Sequence, residues 1–229
     1  AAAVIDASGT WSTRNRLGTS GLPAVGEAAA ADRISSPLPD VLGRDREAFA
    51  ARTAVVVGAG HSAANTLLNL SELAAQVPGT KIVWAIRGSS AAKVYGGGDA
   101  DGLAARGQLG SRLRSLVESG AVELHTGFGI ASLAASDGAV TLTSTDGRTL
   151  EADVVVPATG FRPDLDILRE LRLELDPGVE APRALGPLID PEFHSCGTVE
   201  PHGAKMLAHP EQDFYIVGMK SYGRAPTFL

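Results

Sequence analysis

Cysteine is almost absent from this chain of 229 residues, which contains Cys196 alone. One cysteine cannot form a disulfide within the chain, so a disulfide-stapled secreted scaffold and an internal CxxC redox centre are excluded. We therefore expect a cytoplasmic protein. Cys196 is close in sequence to His194, His202 and His209, but these spacings match no common zinc pattern. A loop is the better interpretation of this region, and we predict no metal site.

Positive charge and long apolar segments are also scarce. The chain has 20 Lys and Arg against 26 Asp and Glu, a formal net charge of -6. This balance lacks the electrostatic footprint of a nucleic-acid-binding or anionic-membrane-binding protein. No apolar stretch approaches the roughly 20 residues that span a bilayer, and the alanine-rich start lacks the basic region of a signal peptide. We expect a small-molecule substrate, no nucleic-acid partner and no membrane partner; the sequence leaves the oligomeric state open.

What the chain does contain is a glycine turn in the segment AVVVGAGHSAANTLLNL, residues 54–70. The turn follows a β-branched strand and opens a helix, which is the context that a dinucleotide-binding turn requires. The first glycine permits the tight turn, the second lets the backbone approach a pyrophosphate, and the alanine keeps the helix close to the sheet. A purely structural strand-to-helix corner is the alternative. We predict that the phosphates bind at the helix start, with the cofactor-binding residues being Gly58, Ala59, Gly60, His61, Ser62 and Ala63.

The next strand, in KIVWAIRGSS at residues 81–90, favours one nicotinamide cofactor over the other. An NAD site usually has Asp or Glu at this strand end, whereas an NADP site has Arg for the 2'-phosphate. The strand ends in Arg87 without a carboxylate. We therefore predict NADP(H), with Arg87 near the 2'-phosphate, and the alternative is a solvated strand-end charge. Trp84 within the strand is interpreted as a core residue.

The order of elements predicts the fold class. Strands at 54–57, 81–86 and 121–126 alternate with helices at 61–75 and 111–119, which argues for a parallel sheet with right-handed crossovers. The turns Asp137-Gly138 and Asp146-Gly147 then predict a β-meander of segments 129–135, 139–144 and 148–156, and residues 153–157 are expected to return to the parallel sheet. We expect an α/β protein whose centre is a Rossmann-like, three-layer NAD(P)-binding domain with a parallel sheet plus β-meander. Short helices are expected around 44–51 and 165–171.

Two further strands end in a small residue, a hydroxyl residue and glycine: Ala7-Ser8-Gly9 and Ala158-Thr159-Gly160. Together with the glycine turn between them, they resemble the two-dinucleotide-binding flavoproteins, that is, the pyridine nucleotide-disulfide reductase-like group and its flavin-containing monooxygenases. The tail FYIVGMKSYGRAPTF resembles that group's late FAD-contact segment, although Gly218-Met219 stands where the family has Gly-Asp. The resemblance implies that Ala7, Ser8, Gly9, Ala158, Thr159, Gly160, Gly218 and Met219 are cofactor-binding residues.

The resemblance also implies a domain order, in which an NADPH-binding domain is inserted into an FAD-binding domain. We expect residues 1–11 to be a remnant of the FAD-binding domain, 12–51 a linker, 52–160 the NADP-binding domain with its meander, and 161–229 a partial FAD-binding domain. The family's first FAD fingerprint and its C-terminal helix are not in the sequence. We therefore expect a fragment of a longer flavoprotein, which would bind FAD in full length and be inactive alone.

The expected function is that of an NADPH-dependent flavoprotein oxidoreductase, monooxygenase-like, in which NADPH reduces FAD by hydride transfer. No catalytic side chain is named, because the flavin carries the chemistry. A non-enzymatic NADP-binding or redox-sensor module is the alternative from another class. Asp99 and Asp101 alternate in a glycine-rich loop, but the distal ligands of a calcium loop are missing, so a loop over the cofactor or substrate is preferred. No G-x-S-x-G elbow occurs, which disfavours hydrolysis.

Overall fold

The structure is a computed structural model that describes residues 2–96, 104–190 and 199–224. It divides into two compact units. Residues 15–160 form one unit, called here the insertion, and residues 1–14 with 161–229 form the other, called here the base.

The helices and strands alternate as the sequence pattern predicts. The described strands are β1 (Val4–Asp6), β2 (Thr53–Val57), β3 (Lys81–Ala85), β4 (Glu123–His125), β5 (Ile130–Ser136), β6 (Ala139–Ser144), β7 (Thr149–Ala152), β8 (Val154–Pro157) and β9 (Phe214–Ile216). The described α-helices are α1 (His61–Gln76), α2 (Ala92–Tyr95), α3 (Ala104–Glu118) and α4 (Gly186–Ile189). Short 3-10 turns lie at Ala31–Arg33, Arg46–Ala48, Asp166–Leu168, Ala204–Leu207 and Gly218–Tyr222.

The insertion is built in three layers around a parallel sheet of order β4-β3-β2-β8. Alternate residues of β2 point to opposite faces, so Val56 packs in the core on the helix side and Val55 in the core on the meander side. Helix α1 contributes Leu67 and Leu70 to the first core. The antiparallel meander β5-β6-β7 covers the other face. This is the predicted Rossmann-like arrangement, and the buried faces explain why β2 is apolar from Ala54 to Val57.

Residues 15–51 belong to the insertion and are not the separate linker predicted for 12–51. Val25 forms a bridge with Ser132 of the meander, and Ile34 forms one with Val155 of the parallel sheet. The buried carboxylate of Glu27 accepts hydrogen bonds from the backbone N–H groups of Leu17, at 3.1 Å, and Ala24, at 2.9 Å. Because a side chain satisfies this backbone, the segment is ordered without helical or strand periodicity.

Several predicted boundaries differ from the structure. The helix expected at 111–119 begins at Ala104. Gly110 within it packs its backbone against the carbonyl of Tyr95, where any Cβ would overlap. The helices expected at 44–51 and 165–171 are only 3-10 turns. The continuous run at 148–156 is split into β7 and β8 at Asp153, whose carboxylate accepts the N–H of Thr53 at 2.7 Å.

The base contains a two-stranded parallel sheet, in which β1 pairs with β9. The pairing sets Asp6 opposite Ile216, so the chain segments that follow the two strands begin side by side. Among the helices of the described residues, none is both long and apolar enough to cross a bilayer.

Candidate functional site

The glycine turn lies between β2 and α1, as predicted. Gly58 has a φ of 138°, and a Cβ there would overlap the carbonyl of Ala158, so a side chain is excluded twice over. Gly60 meets no atom within 4 Å of its would-be Cβ, which leaves this side of the turn open. The open side is where a ligand can approach the backbone.

The amide groups of this turn are available to an anion. Helix α1 begins at His61 after an extended Gly60, and the first N–H that returns to the turn is that of Ala64, which donates to the Gly60 carbonyl at 3.1 Å. The N–H groups of residues 59–63 take part in none of the hydrogen bonds found among the described residues. A helix of 16 residues also places its positive end here. His61 and Ser62 are half-buried at this mouth, and Ala63 is buried against the sheet.

Trp84 of β3 contributes a contact that sequence reasoning missed. Its side chain is buried in the helix-side core, as expected, but its Nε1–H also donates to the carbonyl of Gly58 at 2.7 Å. An indole N–H in a core needs a partner, and that need is the only sequence-level signal for such a contact. Which carbonyl would accept it depends on the fold.

The Ala158-Thr159-Gly160 ending is brought directly against the glycine turn through the contact of Ala158 with Gly58. Thr159 is fixed by reciprocal bonds, since its Oγ1 donates to the Asn15 carbonyl and its own carbonyl accepts from Asn15 Nδ2, both at 2.9 Å. The N–H of Asn15 donates to the carbonyl of Gly160, also at 2.9 Å. Asn15 is thus a second residue that the sequence did not point to. Asn15 fixes this turn although it lies 144 residues before Thr159 in the sequence.

Arg87 leaves the end of β3 toward the segment 15–51. Its guanidinium is exposed and donates from Nη1 to the carbonyl of Thr19 at 3.2 Å. The same strand end opens on a cavity of about 550 Å³, lined by residues that include Ser89, Ser90, Tyr95, Arg114 and Thr126. Arg114 is paired with Glu118 at 2.7 Å, whereas no carboxylate pairs with Arg87 among the described residues.

The base brings together the other predicted cofactor residues. Ala7, Ser8 and Gly9 follow β1, Gly218 and Met219 follow β9, and Gly9 and Gly218 have φ of 73° and 67°. The unexpected member of this group is Lys220. Its side chain is fully buried, and its Nζ lies 2.7 Å from Asp6 Oδ2 and donates to Ser8 Oγ at 3.0 Å.

The charge of Asp6 is stabilised by these contacts. Burial works to raise the pKa of Asp6, but the hydrogen bond from Lys220 and those from Ser8 outweigh it and hold the pKa below its ordinary value of 3.8. Asp6 also accepts the backbone N–H of Ser8 at 2.9 Å. The carboxylate therefore links the ends of both strands to the turn that follows β1.

The remaining sequence candidates lie partly outside the residues that the structure describes. Asp99, Asp101, His194 and Cys196 lie outside the described residues. His209 accepts a backbone N–H of Glu174 at 3.2 Å through Nδ1, and burial lowers its pKa. Residues 2–96, 104–190 and 199–224 contain no group of three or more His, Cys, Asp or Glu placed to hold a metal ion.

Fold and site define a class: an α/β insertion with a glycine turn and a meander, together with a second unit that has its own glycine-ended strands. The chain belongs to the pyridine nucleotide-disulphide oxidoreductase family, whose sequence model matches residues 26–186. This confirms the family expected from the three glycine endings.

Individual relatives are similar over long stretches. The chain is 28% identical over 169 residues to a ferredoxin–NADP reductase of Paramagnetospirillum magneticum (strain ATCC 700264 / AMB-1), covering 71% of this chain and 45% of that protein. Bacillithiol disulfide reductases from Bacillus cereus and Staphylococcus aureus share its fold, with TM-scores of 0.65 and 0.63 and identities of 17% and 15%. These comparisons cover 97% and 99% of this chain but 54% and 57% of the reductases. The chain thus spans about half the length of these proteins.

Proposed function

We propose that this chain is the NADPH-binding part of a flavoprotein oxidoreductase, in which NADPH reduces FAD by hydride transfer. The observation that carries the proposal is the open glycine turn, whose amide groups at residues 59–63 have no partner within the described chain. A merely structural corner would not need an open Gly60. The name of the ferredoxin–NADP reductase relative includes the same nicotinamide cofactor.

The arrangement assigns a task to each part of the NADPH site. The backbone of Gly60, His61 and Ser62 at the start of α1 would hold the pyrophosphate through N–H groups and the helix end. Arg87, anchored to the Thr19 carbonyl through one N–H, keeps other donors for the 2'-phosphate. The adjoining cavity of about 550 Å³ has room for the adenosine end of the cofactor. The absence of a carboxylate at this strand end supports the phosphorylated cofactor over NADH.

The base would hold part of the FAD. The residues available are Ala7, Ser8 and Gly9 after β1 and Gly218 and Met219 after β9, and φ is positive at Gly9 and Gly218. Bound flavin would accept hydride from NADPH and pass electrons onward. The chain's own contribution is binding, orientation and exclusion of water.

The electron acceptor is proposed from the resemblance of the strand endings Ala7-Ser8-Gly9 and Ala158-Thr159-Gly160 to those of the flavin-containing monooxygenases. We propose transfer to oxygen in a monooxygenase-like reaction. Oxygen consumption by the full-length, FAD-loaded protein in the presence of NADPH tests this step, and reduction of an added protein or disulfide acceptor without oxygen uptake would contradict it.

The NADPH proposal can be tested on the 229-residue chain by titration calorimetry with NADPH and NADH. We expect NADPH to bind more tightly, because the loss of a charge-assisted hydrogen bond costs about 1.5–3 kcal/mol, or roughly 10- to 100-fold in affinity. Arg87→Ala should lose affinity for NADPH and leave NADH binding unchanged. Arg14 lies in the base, so Arg14→Ala serves as the matched control and should leave the affinity for both cofactors unchanged. Equal binding of both cofactors by the wild-type chain would contradict the role of Arg87.

A non-enzymatic NADP-binding or sensor module would show the same nicotinamide binding without flavin. The two functions differ in the colour and turnover of the full-length protein. A yellow protein that consumes NADPH supports the enzyme. A colourless one that binds NADPH without turnover supports the sensor.

A further inference from the structure

The hydrogen bond between Trp84 and Gly58 points to a role for Trp84 beyond packing. We propose that Trp84 is a positioning residue for the dinucleotide turn, and that its indole N–H orients the Gly58–Ala59 peptide so that the Ala59 N–H faces the pyrophosphate. The inference rests on the proposed function, since it assigns a further residue to the same binding site.

The first step is the geometry of the peptide unit. A trans peptide is planar, and its C=O and N–H point in opposite directions. The Gly58 carbonyl is held inward by Trp84 Nε1 at 2.7 Å, in the core on the helix side of the sheet. The N–H of Ala59 belongs to the same peptide plane and must therefore point outward. Ala59 is exposed, and its N–H has no partner among the described residues.

The second step is the rigidity of this arrangement. Gly58 is a permissive residue, and its φ of 138° could relax if only the chain itself restrained it. Its N–H is fixed by the Ala85 carbonyl at 3.1 Å, so rotation of the following peptide is the freedom that remains. Trp84 removes that freedom. Its ring is fully buried and packs edge-on against Tyr95, with ring centres 6.3 Å apart.

The third step separates positioning from packing. Buried tryptophans usually find an acceptor, so a hydrogen bond alone would fit a purely structural role. A structural role predicts that loss of the bond weakens every ligand of the domain alike. Positioning of one peptide predicts a selective loss for ligands that carry a pyrophosphate.

The test compares Trp84→Phe with the wild-type 229-residue chain, since phenylalanine keeps a buried ring but lacks the N–H. Two ligands are titrated: NADP+, which contains the pyrophosphate, and adenosine 2'-monophosphate, which does not. We expect Trp84→Phe to weaken NADP+ roughly three- to tenfold, the effect of one net hydrogen bond. The variant should bind adenosine 2'-monophosphate within about twofold of the wild-type affinity, because this ligand has no pyrophosphate to accept the Ala59 N–H.

Leu73→Val is the matched control, because Leu73 is buried in the same core but lies near the far end of α1. It should lower stability without changing the ratio of the two affinities. Equal weakening of both ligands by Trp84→Phe, or no weakening, overturns the positioning role. Failure of the wild-type chain to bind NADP+ at all overturns the proposed function as well, so the two failures are distinguishable.

A second measurement does not depend on the variant folding. In a nitrogen-15 NMR spectrum of the wild-type chain, the indole N–H of Trp84 should exchange slowly with solvent. Trp11 is 68% exposed and provides the internal reference for fast exchange. Exchange of the Trp84 signal as fast as that of Trp11 would show that the bond does not persist, and would overturn the inference.

Discussion

Replacement of Lys220 by methionine tests the buried charge pair of the base. The Lys220 side chain has no exposed surface, and its Nζ contacts Asp6 at 2.7 Å and Ser8 at 3.0 Å. Methionine keeps most of the apolar stem and removes the charge, so the Asp6 carboxylate is left buried without its cation. Loss of one partner from a buried ion pair costs about 3–5 kcal/mol, a large part of the stability of an ordinary domain.

The free energy of unfolding that Lys220→Met loses should depend on pH, and this dependence identifies the unpaired Asp6 carboxylate as the cause. In the wild type, the folded-state pKa of Asp6 lies below 3.8, so its pairing stabilises the fold above that pH and is lost as the pH falls through the lower folded value. In Lys220→Met, the carboxylate lacks its cation and burial dominates, which raises its pKa. Protonation of Asp6 then removes the unpaired buried charge and stabilises the variant. The stability difference should be largest near pH 7 and should shrink toward pH 4.

Hydrogen–deuterium exchange of β1 and β9 measures this stability within the base alone. Lys205→Met is the control, because Lys205 is an exposed lysine of the same unit. A double variant, Asp6→Leu with Lys220→Met, should recover most of the loss, since apolar replacements of both partners are commonly neutral. The reasoning is refuted if Lys220→Met loses less than about 1 kcal/mol at pH 7, or if its loss grows on acidification.

Other expected effects concern backbone strain and titration. Gly58→Ala should destabilise the chain by about 3 kcal/mol, because the new Cβ would overlap the carbonyl of Ala158 and the backbone would be strained. Gly138→Ala should cost only about 1 kcal/mol, because Gly138 has a φ of 85° but no atom near its would-be Cβ. Equal losses of stability in thermal unfolding would contradict the overlap at Gly58. Burial lowers the pKa of His209 below 6.5, so stability should decrease as the pH falls from 6.5 toward the folded value, and His209→Gln should flatten that slope in urea unfolding. Glu180 pairs with Arg162, and its own backbone has a φ of 61°. Glu180→Ala and Glu180→Gly both lose the ion pair, but the glycine variant should be about 1 kcal/mol more stable in thermal unfolding, because glycine adopts a positive φ without strain. A less stable glycine variant would show that Glu180 is not strained.

The bounds of an element could be predicted from the sequence where local chemistry alone determines them. Strand β6 was expected at residues 139–144 and is found there, because Asp-Gly turns fix both of its ends. Helix α1 begins at His61 as expected, because the glycine turn permits only one start. The glycine turn was recognisable for the same reason, since its glycine spacing is a local requirement of the backbone.

Long-range side-chain contacts were not predictable in the same way. Lys220 reaches Ser8 across 212 positions and Trp84 reaches Gly58 across 26, and no periodicity records either contact. The order of residues 15–51 likewise depends on Glu27 and on bridges to distant strands. A lysine in an apolar tail and a tryptophan in a strand were visible as residues that need partners, but only the fold supplies the partners.

The late position of the glycine turn follows from how the insertion is closed. Its two ends, at Asn15 and Gly160, are joined by a hydrogen bond of 2.9 Å, and Asn15 and Thr159 exchange two more. A unit whose ends meet can stand inside another domain without separating the chain segments on either side. The base accordingly pairs β1, which precedes the insertion, with β9, which follows it. The chain therefore leaves the base before it builds the turn at Gly58, and it returns at Phe161 to complete the sheet that it left.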